Sequence, residues 1–289
     1  MKRSLLLLST LAIAAQAQVF TFTRDQMIQY TVKNPYARFE DGRPNVPGAL
    51  LEKVKGLSSE EIWAVLPRQG YPNQYEGNWQ ILHPGRKLVG RAVTAQFMPL
   101  RPDVAEVAEA AAKTRGAPVS PNQRVIDMLQ PGDVLVVDLY GKIEDGTFVG
   151  DNLAFYIAEV AKSGLVVDGA IRDIEGVFPL DMALYFRGAH PSFIRNVMLT
   201  GINIPVRIGS TTVMPGDVVF GDREGVSFIP PHLVQEVVDR AEETHIHDEW
   251  TRKTLRTGKY KSSEIYGSPK DERLKKEYDE YLKRRLGRP

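Results

Sequence analysis

The sequence predicts a compact α/β domain built in layers, on three observations. Short runs of β character recur from residue 87 onward. Between two of them lies a segment of helical spacing, with Leu153, Tyr156, Ile157, Val160 and Ala161 on one face. The strands and helices keep no uniform βα period, which points to packed layers rather than a barrel. No internal repeat is visible.

Taken in order, residues 18–85 read as loops around short helices, with Tyr71-Pro72 and Pro84-Gly85 as breakers. Ser58-Ser59-Glu60-Glu61 reads as a helix start, Ser58 capping and Glu61 three positions on. That helix would carry Ile62, Trp63, Val65 and Leu66. Residues 88–98 read as a strand with Val89, Ala92, Val93 and Phe97 facing inward. An Ala-rich helix over 104–115 ends at Gly116. Pro131-Gly132-Asp133 is a turn into a buried strand over 134–138. The periodic helix over 153–163 ends at Gly164, and 165–167 is the next strand. Further short strands are expected at 183–186, 206–208, 218–221 and 226–229. The last leads through Pro230-Pro231 into a helix bearing Leu233, Val237, Val238 and Ala241. Residues beyond 245 form a charged tail whose narrow stripe, Leu274, Tyr278, Tyr281 and Leu282, is expected to seek a neighbouring surface.

Bulk properties narrow the function. At 289 residues with 43% hydrophobic and 25% charged residues, the chain has ordinary globular composition and length for a substantial core. A formal net charge of +1 supplies no global field for nucleic acid, so no nucleic-acid partner is expected. The absence of cysteine excludes disulfides, thiolate metal sites and a lipid anchor on Cys. Lys2 and Arg3, an apolar stretch over 5–15 broken at Ser9 and Thr10, and Ala15-Gln16-Ala17 make a secretory leader. The apolar run falls short of the ~20 residues a membrane span needs. The chain is therefore expected to be periplasmic or secreted, to start at Gln18, and to have no membrane span after signal removal. The implied organisation is a signal peptide (1–17), an N-terminal extension (18–85), a catalytic domain (86–245) and a charged helical tail (246–289).

Two segments carry chemistry. Gly150-Asp151-Asn152-Leu153 opens the periodic helix, where Asp151 or Asn152 can cap. Amides without intrahelical partners at the positive dipole end make a receptor for a small carboxylate, although a plain cap has the same sequence. Asp168-Gly169-Ala170-Ile171-Arg172-Asp173 follows the 165–167 strand directly. It sets a fixed cation beside a hard oxygen ligand of the kind divalent metals take, or an Arg–Asp pair bracing a turn. Arg172 can hold a developing enolate oxygen or a substrate carboxylate. One helix joins the two segments, so both belong at one sheet edge, where α/β proteins gather ligands. His190, in Gly188-Ala189-His190-Pro191, is a candidate acid–base group or a solvated loop residue. His245 and His247 read as part of a solvated charge run just past a helix.

The two segments, in this order and spacing, resemble the signature of the 4-hydroxy-4-methyl-2-oxoglutarate aldolases and the regulator-of-ribonuclease-activity (RraA) proteins. Leu88-Val89-Gly90-Arg91-Ala92-Val93-Thr94, Pro131 through Asp138, Asn203-Ile204-Pro205-Val206 and Pro215 through Asp222 resemble the family's flanking strands, so the likeness runs over about 88–244. The resemblance implies a compact α/β/α sandwich around a mixed sheet, assembled as a homotrimer or a hexamer of two trimers with sites near subunit interfaces. It implies magnesium or manganese on Asp173, and Asp151 holding a water there. It further implies Arg172 stabilising a pyruvate enolate, and the Gly150–Leu153 segment binding the substrate carboxylate through the amides of Asn152 and Leu153. Leu139-Tyr140-Gly141 departs from the family's usual Gly-Gly. Glu264 is the nearest candidate for an acidic residue donated by a neighbouring subunit. The expected function is an exported divalent-metal-dependent lyase on small 2-oxo acids. It would release pyruvate by cleaving 4-hydroxy-2-oxo acids or decarboxylating oxaloacetate. The alternative is a non-catalytic carboxylate-binding or protein-regulating member.

Overall fold

A computed structural model describes residues 19–162 and 164–287. The expected leader and the start at Gln18 lie outside the described residues. The chain begins with α1 (Arg24–Tyr30), α2 (Gly48–Lys55) and α3 (Ser59–Trp63), then β1 (Tyr75–Glu76) and β2 (Gln80–Ile81). The central part comprises β3 (Leu88–Pro99), α4 (Pro102–Thr114), α5 (Pro121–Ile126), β4 (Asp133–Val149), α6 (Asp151–Ala161), β5 (Leu165–Ile171), α7 (Ile174–Val177) and β6 (Leu184–Ala189). It closes with β7 (Val197–Ile202), β8 (Val206–Ile208), β9 (Thr211–Val213), β10 (Val218–Gly221), β11 (Val226–Ile229), α8 (Val234–Leu255), α9 (Ser262–Ile265) and α10 (Glu272–Leu286). The mixed α/β class is as expected.

The described strands form a large sheet in the order β1-β11-β10-β3-β4-β5-β6-β2, with β7 also paired to β3. Its centre, β3 to β6, is parallel, and the flanking pairings are antiparallel. Strand alternation sorts side chains to two faces. Val93, Ala95, Leu135, Val137, Leu165 and Val167 meet α5 and α6 through Val125, Ile126, Ala154 and Ile157. Ala92, Val134, Val136 and Val166 turn the other way, onto Val206, Ile208 and Val213 of the β8–β9 hairpin.

The N-terminal segment is built into this body. α3 starts with the expected capping box: the Ser58 hydroxyl accepts the Glu61 amide at 3.3 Å and Glu61 accepts the Ser58 amide at 2.8 Å. Ile62, Val65 and Leu66 are buried as expected, whereas Trp63 faces outward. With Val46, Leu50 and Val54 they share one core with Phe220, Ile229, Val234 and Val237. Arg43 forks onto buried Asp133 at 2.8 and 3.0 Å.

Several elements differ from expectation. The strand expected to stop at Asp138 continues to Val149, because register shifts after Asp138 absorb Tyr140 and Gly141, both at positive φ, as bulges. The strand expected over 165–167 runs to Ile171. Asp168 stays inside it because Arg187 neutralises it at 2.7 Å. α5 and β7 carry no clear sequence signal. His245 and His247 lie within α8, whose length exceeds the expected helix. Two residues apart on a helix they point to different sides. His245 contacts Glu61 at 2.5 Å, and the His247 ring meets the Gly267 carbonyl at 2.6 Å.

The tail corrects a further expectation. α10 returns onto α8 of its own chain, burying Leu274 with Trp250 and Ile265 and packing Tyr278 and Tyr281 against them. The stripe is satisfied within the subunit and gives no motive for assembly. Glu264 caps α9, accepting the Lys261 amide at 2.7 Å. Among the described residues no helix is long and apolar enough to cross a membrane.

Candidate active site at the edge of the parallel strands

β4 ends at Val149 and β5 at Ile171, side by side in register. The segments that follow them, Gly150-Asp151 and Arg172-Asp173, therefore emerge at one edge of the sheet. The Arg172 amide donates to the Val149 carbonyl at 3.1 Å, which ties the two ends together. A Cβ built on Gly150 would lie 2.3 Å from Asp173 Oδ2 and 3.1 Å from Arg172 Nε. The helix start thus lies directly against this pair, with no side chain between them. On the other side, a Cβ on Gly176 would meet the Asp151 side chain at 2.8 Å. The Gly150–Asp151 segment and the Arg172–Asp173 pair expected from the sequence therefore come together at this edge.

The cap differs in detail. Gly150 is the N-cap of α6, and Asp151 and Asn152 are the first helical residues. Asp151 bonds no capping partner; its Oδ1 accepts the adjacent Asn152 amide at 2.7 Å. The first bond of the helical ladder joins the Ala154 amide to the Gly150 carbonyl at 3.0 Å, so the amides of 151–153 precede it. One of the two amides expected to receive a carboxylate thus meets an internal carboxylate oxygen. An incoming anion would displace Asp151 from it.

Arg172 Nε lies 3.2 Å from Asp173 Oδ2, with both side chains substantially exposed, 37% and 46%. Asp173 adopts the left-handed region, φ 56°, as N-cap of α7. Asp tolerates this conformation better than most residues, and such backbone is concentrated at ligand sites. Among the described residues no group of three or more His, Cys, Asp or Glu side chains converges as a metal cage. One or two carboxylates with open space suit magnesium, which keeps several waters. Asp173 lies against Gly150 and Asp151 against Gly176, and hard carboxylate oxygens of this kind are the donors such an ion takes.

His190 also reaches this edge. Its amide donates to the Ile171 carbonyl at 3.1 Å, one residue before Arg172, and its Nδ1 is 2.9 Å from Ser192 Oγ. On the opposite face, three adjacent strands carry Asp138, Asp168 and Arg187 in a row. Burial pushes the Asp138 carboxyl above its ordinary range, and Asp168 adds to the shift. Arg187 bonds Asp168 at 2.7 Å and Glu76 at 2.9 Å and stacks 3.7 Å over Trp79. Sequence reasoning passed over Arg187. A cation inside the run Tyr185-Phe186-Arg187-Gly188 was the signal for a buried partner.

The RraA-like family profile (Aldolase/RraA) matches residues 62–227, over half of the 289-residue chain. A protein of Halalkalibacterium halodurans named "Putative 4-hydroxy-4-methyl-2-oxoglutarate aldolase" is 33% identical over 119 residues, 41% of this chain and 56% of that protein. Protein DlpA of Legionella pneumophila is 28% identical over 222 residues, 75% of this chain and 33% of that protein. The chain thus spans about half the length of the first relative and a third of the second. The crystal structure of Streptomyces coelicolor RraAS2, described as an unusual member of the RNase ES inhibitor RraA protein family, aligns with a TM-score of 0.62 and 31% identity, over 75% of this chain and 99% of that one. A Pseudomonas syringae protein aligns with a TM-score of 0.63 at 24% identity, over 78% of this chain and 95% of that one, a likeness of fold.

Proposed function

This chain belongs to the RraA-like, Aldolase/RraA family, and on that premise we propose that it is an exported, divalent-metal-dependent carbon–carbon lyase releasing pyruvate from small 2-oxo acids. The observation that carries the reading is the convergence of the Arg172–Asp173 pair with the start of α6 at Gly150. The aldolase naming of the relatives supports the reaction class.

In this reading Asp173, with Asp151 close by, holds magnesium or manganese. When bound, the metal supplies Lewis-acid polarisation of the 2-oxo group. The amides of Asn152 and Leu153 hold the substrate carboxylate, and Arg172 stands beside the oxygen on which negative charge develops. In a 4-hydroxy-2-oxo acid the hydroxyl proton is taken up and the C3–C4 bond breaks. Its electron pair passes into the enolate of pyruvate, and C3 is then protonated. In oxaloacetate carbon dioxide leaves instead and the same enolate results. Asp151, whose Oδ1 accepts the Asn152 amide, would hold the water that exchanges these protons. The relatives' family and the exposed site also support a trimeric assembly completing the site.

The test is a metal-supplemented screen of oxaloacetate and branched 4-hydroxy-2-oxo acids, following pyruvate. Asp173→Ala is expected to abolish metal-dependent turnover with the fold intact. Arg172→Lys is expected to lower kcat by about 10²–10³, more than it raises KM, because a planar guanidinium contact tightens as charge develops. Chelator-resistant pyruvate release, or full activity in Asp173→Ala, overturns the proposal.

A further inference from the structure

Three strands end side by side at the candidate site. Val149 of β4 pairs with Ile171 of β5, and Ile171 pairs with Ala189 of β6. The residues that follow them, Gly150, Arg172 and His190, therefore stand in a row across the edge. The His190 amide continues the pairing, donating to the Ile171 carbonyl at 3.1 Å. Alternation along β6 places Leu184 and Phe186 in the core shared with α6, and His190 falls on that same side.

His190 is held from several directions. Thr147 Oγ1 donates to its carbonyl at 3.2 Å. The Ser192 amide donates to its Nδ1 at 3.2 Å, and Ser192 Oγ lies 2.9 Å from the same nitrogen. Ser192 Oγ itself accepts the Asp145 amide at 2.8 Å, and the Asp145 carboxylate is held by Arg195 at 2.6 Å and Asn196 at 2.9 Å. An amide can only donate, so Nδ1 is the acceptor and the ring carries its hydrogen on Nε2. Nε2 has no hydrogen-bond partner among the described residues. The half-buried ring thus offers one oriented donor.

We propose that Nε2–H of His190 contacts the oxygen on C4 of the substrate and favours aldol cleavage over decarboxylation. This rests on the reading of the site given above. There the start of α6 holds the C1 carboxylate and Arg172 stands at the 2-oxo oxygen, so the substrate runs on from β5 towards β6. Adjacent strands lie about 4.8 Å apart, so the row from Gly150 to His190 spans roughly 10 Å. Four bonded carbons cover roughly 4 Å, and a hydrogen bond of about 3 Å at each end completes that span.

One donor then acts oppositely on two reactions. As a C4 hydroxyl gives up its proton, negative charge builds on its oxygen, and the contact strengthens before the C3–C4 electron pair passes into the enolate. In oxaloacetate C4 is the carboxylate carbon. Charge leaves its oxygens as the C3–C4 pair passes into the enolate and carbon dioxide departs, so the contact weakens and opposes the step.

Pyruvate release from 4-hydroxy-2-oxoglutarate and from oxaloacetate, with magnesium or manganese supplied, tests this on the full chain. His190→Asn keeps an acceptor for the Ser192 amide but has no atom at the Nε2 position, whereas His190→Gln puts an amide donor back at that reach. The ratio of kcat/KM for cleavage over decarboxylation is expected to fall about tenfold in His190→Asn, the loss of one hydrogen bond, and to recover in His190→Gln. Nitrogen NMR shifts of the wild-type ring should place its hydrogen on Nε2. An unchanged ratio in His190→Asn, equal loss of both reactions, or a ring hydrogen on Nδ1 overturns this proposal and leaves the reading of the site standing. Wild-type protein that releases pyruvate from neither substrate overturns that reading, and this proposal with it.

Discussion

Asp133 and Asp217 show how one local motif acquires two electrostatic characters. Both follow Pro-Gly, with Gly132 and Gly216 at φ +82° and +85°. Both accept the amide three residues back, of Gln130 at 3.0 Å and Met214 at 2.8 Å. Asp133 is forked by Arg43, but Asp217 is buried with no cation bonded to it among the described residues, and burial pushes its carboxyl up to about 7. Since its pKa is raised on folding, the native state holds a proton that the unfolded chain releases near pH 4. Stability from this group is full below that pH and falls as pH rises towards 7, by up to roughly 4 kcal/mol. Asp217→Asn keeps the oxygen for Met214 and removes the titration. Denaturant midpoints at pH 5 and pH 8 should show the variant gaining on wild type at the higher pH. An identical difference at both pH values would rule out the neutral carboxyl.

At the scale of elements, the C-terminal hairpin is a satellite of the main core. Leu274, Trp250 and Ile265 form their own buried cluster, separate from those on the sheet. A Leu→Ala change in a packed core costs about 2–5 kcal/mol. A small peripheral cluster cannot absorb that without local opening. Leu274→Ala is expected to expose 262–287 to amide exchange and protease while the main thermal transition holds. A large drop of that transition with the hairpin still protected would show that the tail belongs to the main cooperative unit. Site architecture contrasts with this, because Gly150, Arg172 and Asp173 directly follow the paired ends of β4 and β5 in the main sheet.

For the whole molecule, five of the fifteen large apolar side chains exposed among the described residues lie on or beside helices α4, α6 and α7. Val104 and Val107 lie on α4, Phe155 and Tyr156 on α6, and Phe178 just after α7, all more than 40% exposed. Helix α6 begins at the candidate site, so a second copy covering it would also enclose the Arg172–Asp173 pair. On the proposed function, native mass spectrometry of the protein purified from its own host is expected to give a trimer or hexamer of chains beginning near Gln18. A monomer at micromolar concentration, or a full-length chain retained in the cytoplasm, would contradict these two expectations separately.

The sequence by itself determined those features whose causes are local. β-type residue composition marked β3, though its inward residues Ala92 and Val93 fall on opposite faces, 3.6-residue spacing marked α6, the Ser58–Glu61 box marked α3, and two short motifs marked the residues that meet at Gly150 and Arg172. Burial, pairing and contact across the sheet were decided by the tertiary structure, because they depend on partners distant in the chain. Asp168 remains strand because Arg187 neutralises it, and β4 runs past Gly141 because neighbouring strands absorb the bulges. The tail stripe closes on α8, a surface no local pattern identifies. Asp133 and Asp217 are alike in sequence and differ in charge compensation because Arg43, ninety positions from Asp133, folds onto only one of them.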